Sequence, residues 1–171
     1  MSSTLLHFYA GGTDNRGRTL DDILAWDNAR LEAVHDYIQW LFPLPEPSAF
    51  HAAAPVLLAE DIAAFRSDPA LQGRLLAAFR RMLEFYGFEL GGDDAKPEVS
   101  EARGPAAQAR AWLTPGNHNM LRITRVLRCL TLLGLVAHAR AFLASLERLY
   151  GAGAASAIGP VTMRYWRDAV A

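Results

Sequence analysis

The sequence predicts an all-α fold, a single-domain irregular bundle of about six or seven helices over residues 1–171. Three observations carry that prediction. Apolar residues recur at helical spacing in several segments, most plainly Leu71, Leu75, Phe79, Met82 and Tyr86. Residues that start or stop helices stand at the ends of those segments, among them Asp68, Pro69, Gly87 and Pro160. Nothing shows the alternating β-branched pattern of a half-buried strand, and there is no internal repeat. With 171 residues, 51% of them hydrophobic and 20% charged, the chain can bury a substantial core and is too apolar for disorder.

Residues 1–18 read as a turn-rich lead-in, because "AGGTDNRGR" is dense in Gly, Asn and Asp, with "HFY" packing onto the body. A short helix begins at Thr19, whose hydroxyl can cap the turn carrying Asp22, and ends near Trp26. The next helix starts around Asp27 or Asn28 and is stopped by "FPLPEP", whose three prolines cannot continue it, so "LPEPSAFHAAAP" is a loop. A short helix over 60–66 leads into the clearest one, where Asp68 caps, Pro69 takes the first helical position and Gly87 ends the run. Residues 91–105, "GGDDAKPEVSEARGP", read as a mobile loop with almost nothing to bury. From Asn117 to about Leu133 the pattern is helical again, with Ile123, Val126, Leu127, Leu130 and Leu133 on one face and Gly134 as the break. A further helix spans 135–150, "GAGAAS" is a turn, and Pro160 opens the last helix.

Composition excludes several function classes. A formal net charge of −1 gives no overall pull toward nucleic acid or an anionic membrane surface, which makes nucleic acid an unfavoured partner. Cys129 is the only cysteine, so there is no internal disulfide framework and no cysteine-based zinc cluster; inside a helical run it reads as a small buried residue. The N-terminus has no basic stretch, and no apolar run approaches the roughly 20 residues needed to span a bilayer. A soluble, unexported, cytoplasmic protein is expected. Lys96 is the only lysine among abundant arginines, a bias that fits a GC-rich bacterial genome and is not by itself functional.

The best functional lead is the stretch "WDNARLEAVHDYIQWLFP". Read as one helix, it carries Leu31, Val34, Ile38 and Leu41 in one stripe with Phe42 at its edge. Trp40 then points nearly the opposite way and Tyr37 lies between, so the helix is apolar nearly all round and should be buried. On the same wheel Glu32, His35 and Gln39 share a strip about 60° wide. Buried polar groups need partners, and an unpaired charge costs several kcal/mol, on the order of 3–5. The strip therefore reads as an internal hydrogen-bond network, as the floor of a ligand or catalytic pocket, or as a metal site. Glu-x-x-His is the ligand spacing of di-iron bundles, but those need the step on two helices and the chain has no second one. No metal or cofactor is expected.

The complement to that strip is "TPGNHNMLRITRVLR". Asn117 is a good N-cap, so free backbone N–H groups beside His118 could hold an anion. Arg122 flanks the apolar stripe and suits a half-buried guanidinium with Glu32 as candidate partner, whereas Arg125 and Arg128 lie farther toward the outer face. In its sharpest form the reading makes Arg122, Arg125 and the Asn117 terminus an anion pocket for a carboxylate or phosphate.

"GRTLDDILAWDNARLEAVHDYIQWLFP", followed by "FHAAAPVL", "FRSDPALQGRLLAAFRRMLEFYGFEL" and "GNHNMLRITRVLRCLTLLGL", resembles the conserved N-terminal region of the opioid growth factor receptor family, in a short bacterial form. The resemblance covers nearly all the chain, and "HDYIQWLFP" makes it specific. It implies a shared domain whose animal members are described as receptors for the pentapeptide Met-enkephalin, associated with the nucleus and growth inhibition and unrelated to the seven-helix opioid receptors. The chain reads as that domain alone, without a repeat-bearing C-terminal extension or a basic nuclear-localisation cluster. Within the domain the resemblance implies function at Trp26, Asp27, Glu32, His35, Tyr37, Gln39, Trp40, Asn117, Arg122 and Arg125, and it carries no catalytic assignment.

Two classes of function follow. The first is a binding module with a pocket between the opening helix and the Asn117 helix, recognising a small anionic or peptide ligand through aromatics and arginine. The second is an enzyme in which His35 or His118 is a general base oriented by Glu32, with Arg122 stabilising an anion. No serine or cysteine nucleophile setting, phosphate-cradling glycine loop or complete metal set favours the enzyme. Nucleic-acid binding through the arginine face and a homodimer or docking role complete the alternatives.

Overall fold

The computed structural model describes residues 3–105 and 110–171. Packing divides the chain into two compact units, Met1–Phe79 and Arg80–Ala171. The division falls inside one long helix.

In the first unit, α1 (Thr4–Tyr9) turns what the sequence presents as an irregular lead-in into a helix, capped where the Ser3 hydroxyl accepts the Leu6 N–H at 3.1 Å. Its apolar residues explain why: Leu5, Phe8 and Tyr9 are all buried, so a turn-rich flank does not prevent a short helix paid for by core contact. Phe8 meets Trp40 edge-on at 5.3 Å, Tyr9 meets Phe65 at 4.7 Å, and the Tyr9 hydroxyl donates to the Leu41 carbonyl. α2 (Leu20–Leu24) has the capping box read from Thr19 and Asp22, with each side chain accepting the other residue's N–H, at 3.1 and 2.8 Å.

The expected single helix from Asp27 to Phe42 is two. α3 (Asn28–Ala33) ends at Val34, which is extended (φ −93°, ψ 133°), and α4 (Ile38–Leu41) begins after Tyr37. The break is made by long-range partners. Asp36 turns its carboxylate to Arg18, 18 residues earlier, and the Tyr37 hydroxyl donates back to the Leu31 carbonyl at 2.9 Å. A one-turn gain in helix does not compete with those bonds, particularly at Val34, whose branched side chain favours extended backbone.

The proline-rich stretch is a loop as expected, closed where the Leu57 N–H donates to Leu44 at 3.0 Å. α5 (Ala59–Ser67) follows, its first turn held by the Asp61 carboxylate accepting the Leu58 N–H at 2.9 Å. α6 (Pro69–Tyr86) starts and ends where the sequence places it: Asp68 accepts the Ala70 N–H at 2.8 Å, and Gly87 leaves the helix at φ 83°.

The all-α prediction fails in the second unit. β1 (Phe88–Gly92) and β2 (Pro97–Glu101) pair antiparallel, with Leu90 opposite Val99; β1 starts just before the segment 91–105 expected to be a mobile loop, and β2 lies wholly within it. The fold class is therefore mixed helix and sheet, and the helices are also shorter and more numerous than expected. The hairpin turns because the Asp93 carboxylate accepts the N–H groups of Ala95 and Lys96, at 3.0 and 2.7 Å, and Gly92 takes φ 74°. It persists because it has a surface to lie on. β2 packs against α8, and Arg148 donates to the Val99 carbonyl at 2.8 Å.

α7 (Asn119–Leu132) and α8 (Val136–Leu149) are separated at Gly134, φ 97°. The "GAGAAS" turn is instead a π-helical turn, Tyr150–Ala154, kinked at Gly153, followed by α9 (Ala155–Ile158) and then α10 (Pro160–Val170) with proline in its first turn. The core of this unit is aromatic: Phe142 meets Tyr86 stacked at 6.4 Å and Phe88 edge-on at 5.6 Å. The fully buried Trp166 donates its indole N–H to the Met120 carbonyl at 3.1 Å, fastening α10 to α7.

Candidate functional site

The break between α3 and α4 dissolves the strip on which Glu32, His35 and Gln39 were to sit. Glu32 remains on α3, half-buried, while His35 is exposed in the extended link. Gln39 is on α4 and only 6% exposed; its Nε2 donates to the His35 carbonyl at 3.4 Å, and its Oε1 has no hydrogen-bond partner among the described residues. What the sequence presents as one helical face is a turn.

Other residues singled out in the first unit hold that turn in place. Asp27 caps α3, accepting the Arg30 N–H at 2.8 Å. Trp26 is buried with guanidinium groups over its ring, Arg30 at 4.3 Å and Arg18 at 5.5 Å from the centroid, and Tyr37 packs edge-on at 5.5 Å. Trp40 is buried against Phe8. In the second unit the N-cap position of α7 is the exposed His118, not Asn117 as expected, and it makes no side-chain cap bond; Asn117 stands one residue earlier, its side chain accepting the N–H of the buried Asn119 at 3.0 Å. The expected order among the arginines holds: Arg122 is buried, 5% exposed, whereas Arg125 and Arg128 are half-buried.

The feature that sequence reasoning missed is in the first unit. A cleft of about 280 Å³ is lined by Asn15, Arg16, Asp36, Trp40 and the loop residues Phe50, His51 and Ala52 to Ala54. Behind its polar residues lies the buried Asp14, whose Oδ1 accepts the N–H groups of Arg16 and Arg18 at 2.8 and 2.9 Å and so bends residues 14–18 into a compact turn. Arg18 then donates to Asp14 at 2.7 Å and to Asp36 at 2.8 Å, and Arg16 reaches Asp36 at 3.3 Å. Burial opposes the charge on Arg18, but its bonds to Asp36 and Asp14 prevail and raise its pKa. Partial burial likewise works against an ionised Asp36, and Arg18, by hydrogen bond and charge, with Arg16 nearby, outweighs it and holds the carboxyl below its usual range.

The apolar wall comes from the proline-rich loop. The His51 N–H donates to the Ser48 hydroxyl at 3.2 Å and the Ala54 N–H to the His51 carbonyl at 2.9 Å, which folds the loop over Trp40. Phe50 is 81% exposed on it. An ion pair open on one side, a histidine and exposed aromatic surface thus share one concavity. The sequence signals for it were an aromatic in a proline-rich loop and the family-like segment "FHAAAPVL", neither of which says what the ring faces.

The sequence of this domain matches a known family. The model of the opioid growth factor receptor conserved region covers residues 3–150. The chain belongs to the opioid growth factor receptor family. Its relatives include the opioid growth factor receptor of Rattus norvegicus, 43% identical over 130 residues, which are 70% of this chain and 20% of that protein. The Homo sapiens opioid growth factor receptor is 42% identical over 130 residues, 70% of this chain and 18% of its own length. The opioid growth factor receptor-like protein 1 of Xenopus tropicalis is 39% identical over 122 residues, 69% and 23% of the two chains. The chain spans about a fifth of the length of these family members. No solved structure matches it. Among the described residues no helix of this family member is long and apolar enough to cross a membrane.

Proposed function

We propose that this member of the opioid growth factor receptor family is a ligand-binding module whose ligand, a peptide or small anion, enters the cleft of the first unit. The observation that carries the reading is the shared concavity of Phe50, His51, Trp40 and the Arg16–Asp36 pair. Arg16 is 67% exposed and bound to Asp36 on one edge only, so it can swing to a carboxylate while Asp36 stays held by Arg18. The aromatic wall offers apolar area to a side chain at little entropic cost, since the loop carrying it is already closed. The names of the relatives support a receptor role for the domain.

The test uses Met-enkephalin, the pentapeptide implied by the family resemblance, beside acidic, basic and neutral pentapeptides, with titration calorimetry as readout. Phe50→Ala and Arg16→Ala should each weaken the binding peptide by about tenfold, the loss expected for roughly 1.4 kcal/mol, with unchanged melting temperature. Unchanged affinity in both variants, or no binding of any probe at millimolar concentration, rejects the cleft as the site.

A further inference from the structure

The cleft of the first unit is small. Its volume of about 280 Å³ falls just below the roughly 300–1,000 Å³ of pockets that enclose a drug-sized molecule, so it holds a residue-sized group and not a folded-up peptide. Within that space stand both a cation, Arg16, and an aromatic wall of Trp40 and Phe50. A group that satisfies both must carry an anion and a large apolar side chain on a single residue.

The anion that suits Arg16 is a carboxylate. Arg16 meets Asp36 through Nε at 3.3 Å, which steadies the guanidinium and leaves its Nη donors for a second acceptor. Arg18 adds no free charge behind it, being bonded to Asp14 at 2.7 Å and to Asp36 at 2.8 Å. A doubly charged phosphate would set one available guanidinium against itself and the Asp36 carboxylate, whereas a single carboxylate is matched by two parallel N–H bonds from one arginine. An ammonium is poorly served, because Arg18 already engages Oδ1 of Asp36 and Arg16 engages Oδ2. That disfavours a free amino acid, whose ammonium would also stand beside Arg16.

Resting on the assignment of this cleft as the ligand site, we propose that what enters it is the C-terminal residue of a peptide, with its free α-carboxylate on Arg16 and an aromatic or large aliphatic side chain against Trp40 and Phe50. Aspartate and glutamate side chains offer the carboxylate without the apolar group, and an internal apolar residue offers the reverse. Only a chain end joins the two on one residue. The residues before it have an exit, since Phe50 is 81% exposed and Ala52 and Ala53 on the same loop are exposed. Asn15, exposed in the lining with no side-chain bond among the described residues, has its carbonyl available to the peptide's last N–H.

Titration calorimetry of the full chain with acetyl-Gly-Gly-Phe and its C-terminal amide tests this. The acid should bind, and the amide should bind about tenfold or more weakly, because it loses the charge-assisted pair. Arg16→Gln should lower the affinity for the acid about tenfold and leave that for the amide unchanged, which abolishes the difference between them. Acetyl-Gly-Gly-Ala should bind about tenfold or more weakly than the Phe peptide, and Phe50→Ala should narrow that preference. Acetyl-Gly-Glu-Phe-amide, with its carboxylate on a side chain, and phenylpropionate, with no peptide behind its carboxylate, should not recover the affinity of the acid. Melting curves confirm that both variants fold. An amide as tight as the acid, an acid preference that survives Arg16→Gln, or a side-chain carboxylate or phenylpropionate as tight as acetyl-Gly-Gly-Phe overturns C-terminal capture. In those cases weakening by Phe50→Ala keeps the cleft as a ligand site. Absence of binding by every probe at millimolar concentration rejects the cleft and C-terminal capture together.

Discussion

Asp36→Asn keeps the shape of the residue that divides α3 from α4 and removes its charge. The carboxylate accepts from Arg18 at 2.8 Å and from Arg16 at 3.3 Å, while Arg18 also reaches the Asp36 carbonyl at 3.4 Å. A hydrogen bond to a charged group contributes about 1.5–3 kcal/mol when enclosed, and an exposed ion pair about 0–1. The Arg18 and Asp36 side chains are 16% and 28% exposed, which places this pair between those limits, so the substitution should cost about 1–2 kcal/mol. In a chain of this size that lowers the melting temperature by about 2–8 °C. Urea unfolding at pH 7 measures the loss.

The pH dependence gives the sign. Although partial burial pushes the Asp36 carboxyl up, Arg18 and Arg16 hold it below its usual 3.8, so the folded chain binds this proton less tightly than the unfolded one. The stabilisation is complete well above 3.8 and is lost as the pH falls below that value toward the lower folded one, so the difference between wild type and variant should narrow steadily below pH 3.8. A double-mutant cycle with Arg18→Met should show coupling of about 1 kcal/mol. A loss below about 0.5 kcal/mol at pH 7, an undiminished difference at pH 3, or zero coupling would refute the account of the break, leaving the Tyr37–Leu31 bond as its cause.

Gly92→Ala should destabilise the hairpin by about 1–3 kcal/mol, because its φ of 74° disfavours a side chain and an added Cβ would collide with the Lys96 carbonyl; faster hydrogen exchange across Phe88–Glu101 reads the effect, and wild-type protection would oppose it. His138 is only 4% exposed, and burial, reinforced by Arg80 and partly countered by Asp94, lowers its pKa from 6.5. The unfolded chain therefore takes up this proton first, so stability is full above pH 6.5 and declines below it. His138→Gln should flatten that decline relative to wild type, and parallel stability profiles between pH 7 and about 5 would exclude His138 as its source.

Much of the helical framework was legible because its signals are local. The Thr19–Asp22 box, the Asp68–Pro69 start of α6, its Gly87 end and Pro160 at α10 each act within a few residues, and the structure realises all of them. The ranking of Arg122 as more enclosed than Arg125 and Arg128 followed from helix periodicity in the same way, although it is buried rather than half-buried as expected. The hairpin was not legible: β1 and β2 are short and poor in alternating residues, and their support comes from α8 through the Arg148–Val99 bond, 49 residues apart in sequence.

The candidate site divides along the same line. Composition and motif determined the family, the aromatic identity of the stretch around Trp26 to Trp40, and its need for polar partners. Tertiary structure decided that this stretch breaks at Val34, that Asp36 faces Arg16 and Arg18, and that Phe50 and His51 line one cleft with Arg16 and Asp36. Helix caps are bonds between neighbours, so the order of residues specifies them; a cleft is made by segments distant along the chain, and only the packing that brings those segments together fixes which side chains meet.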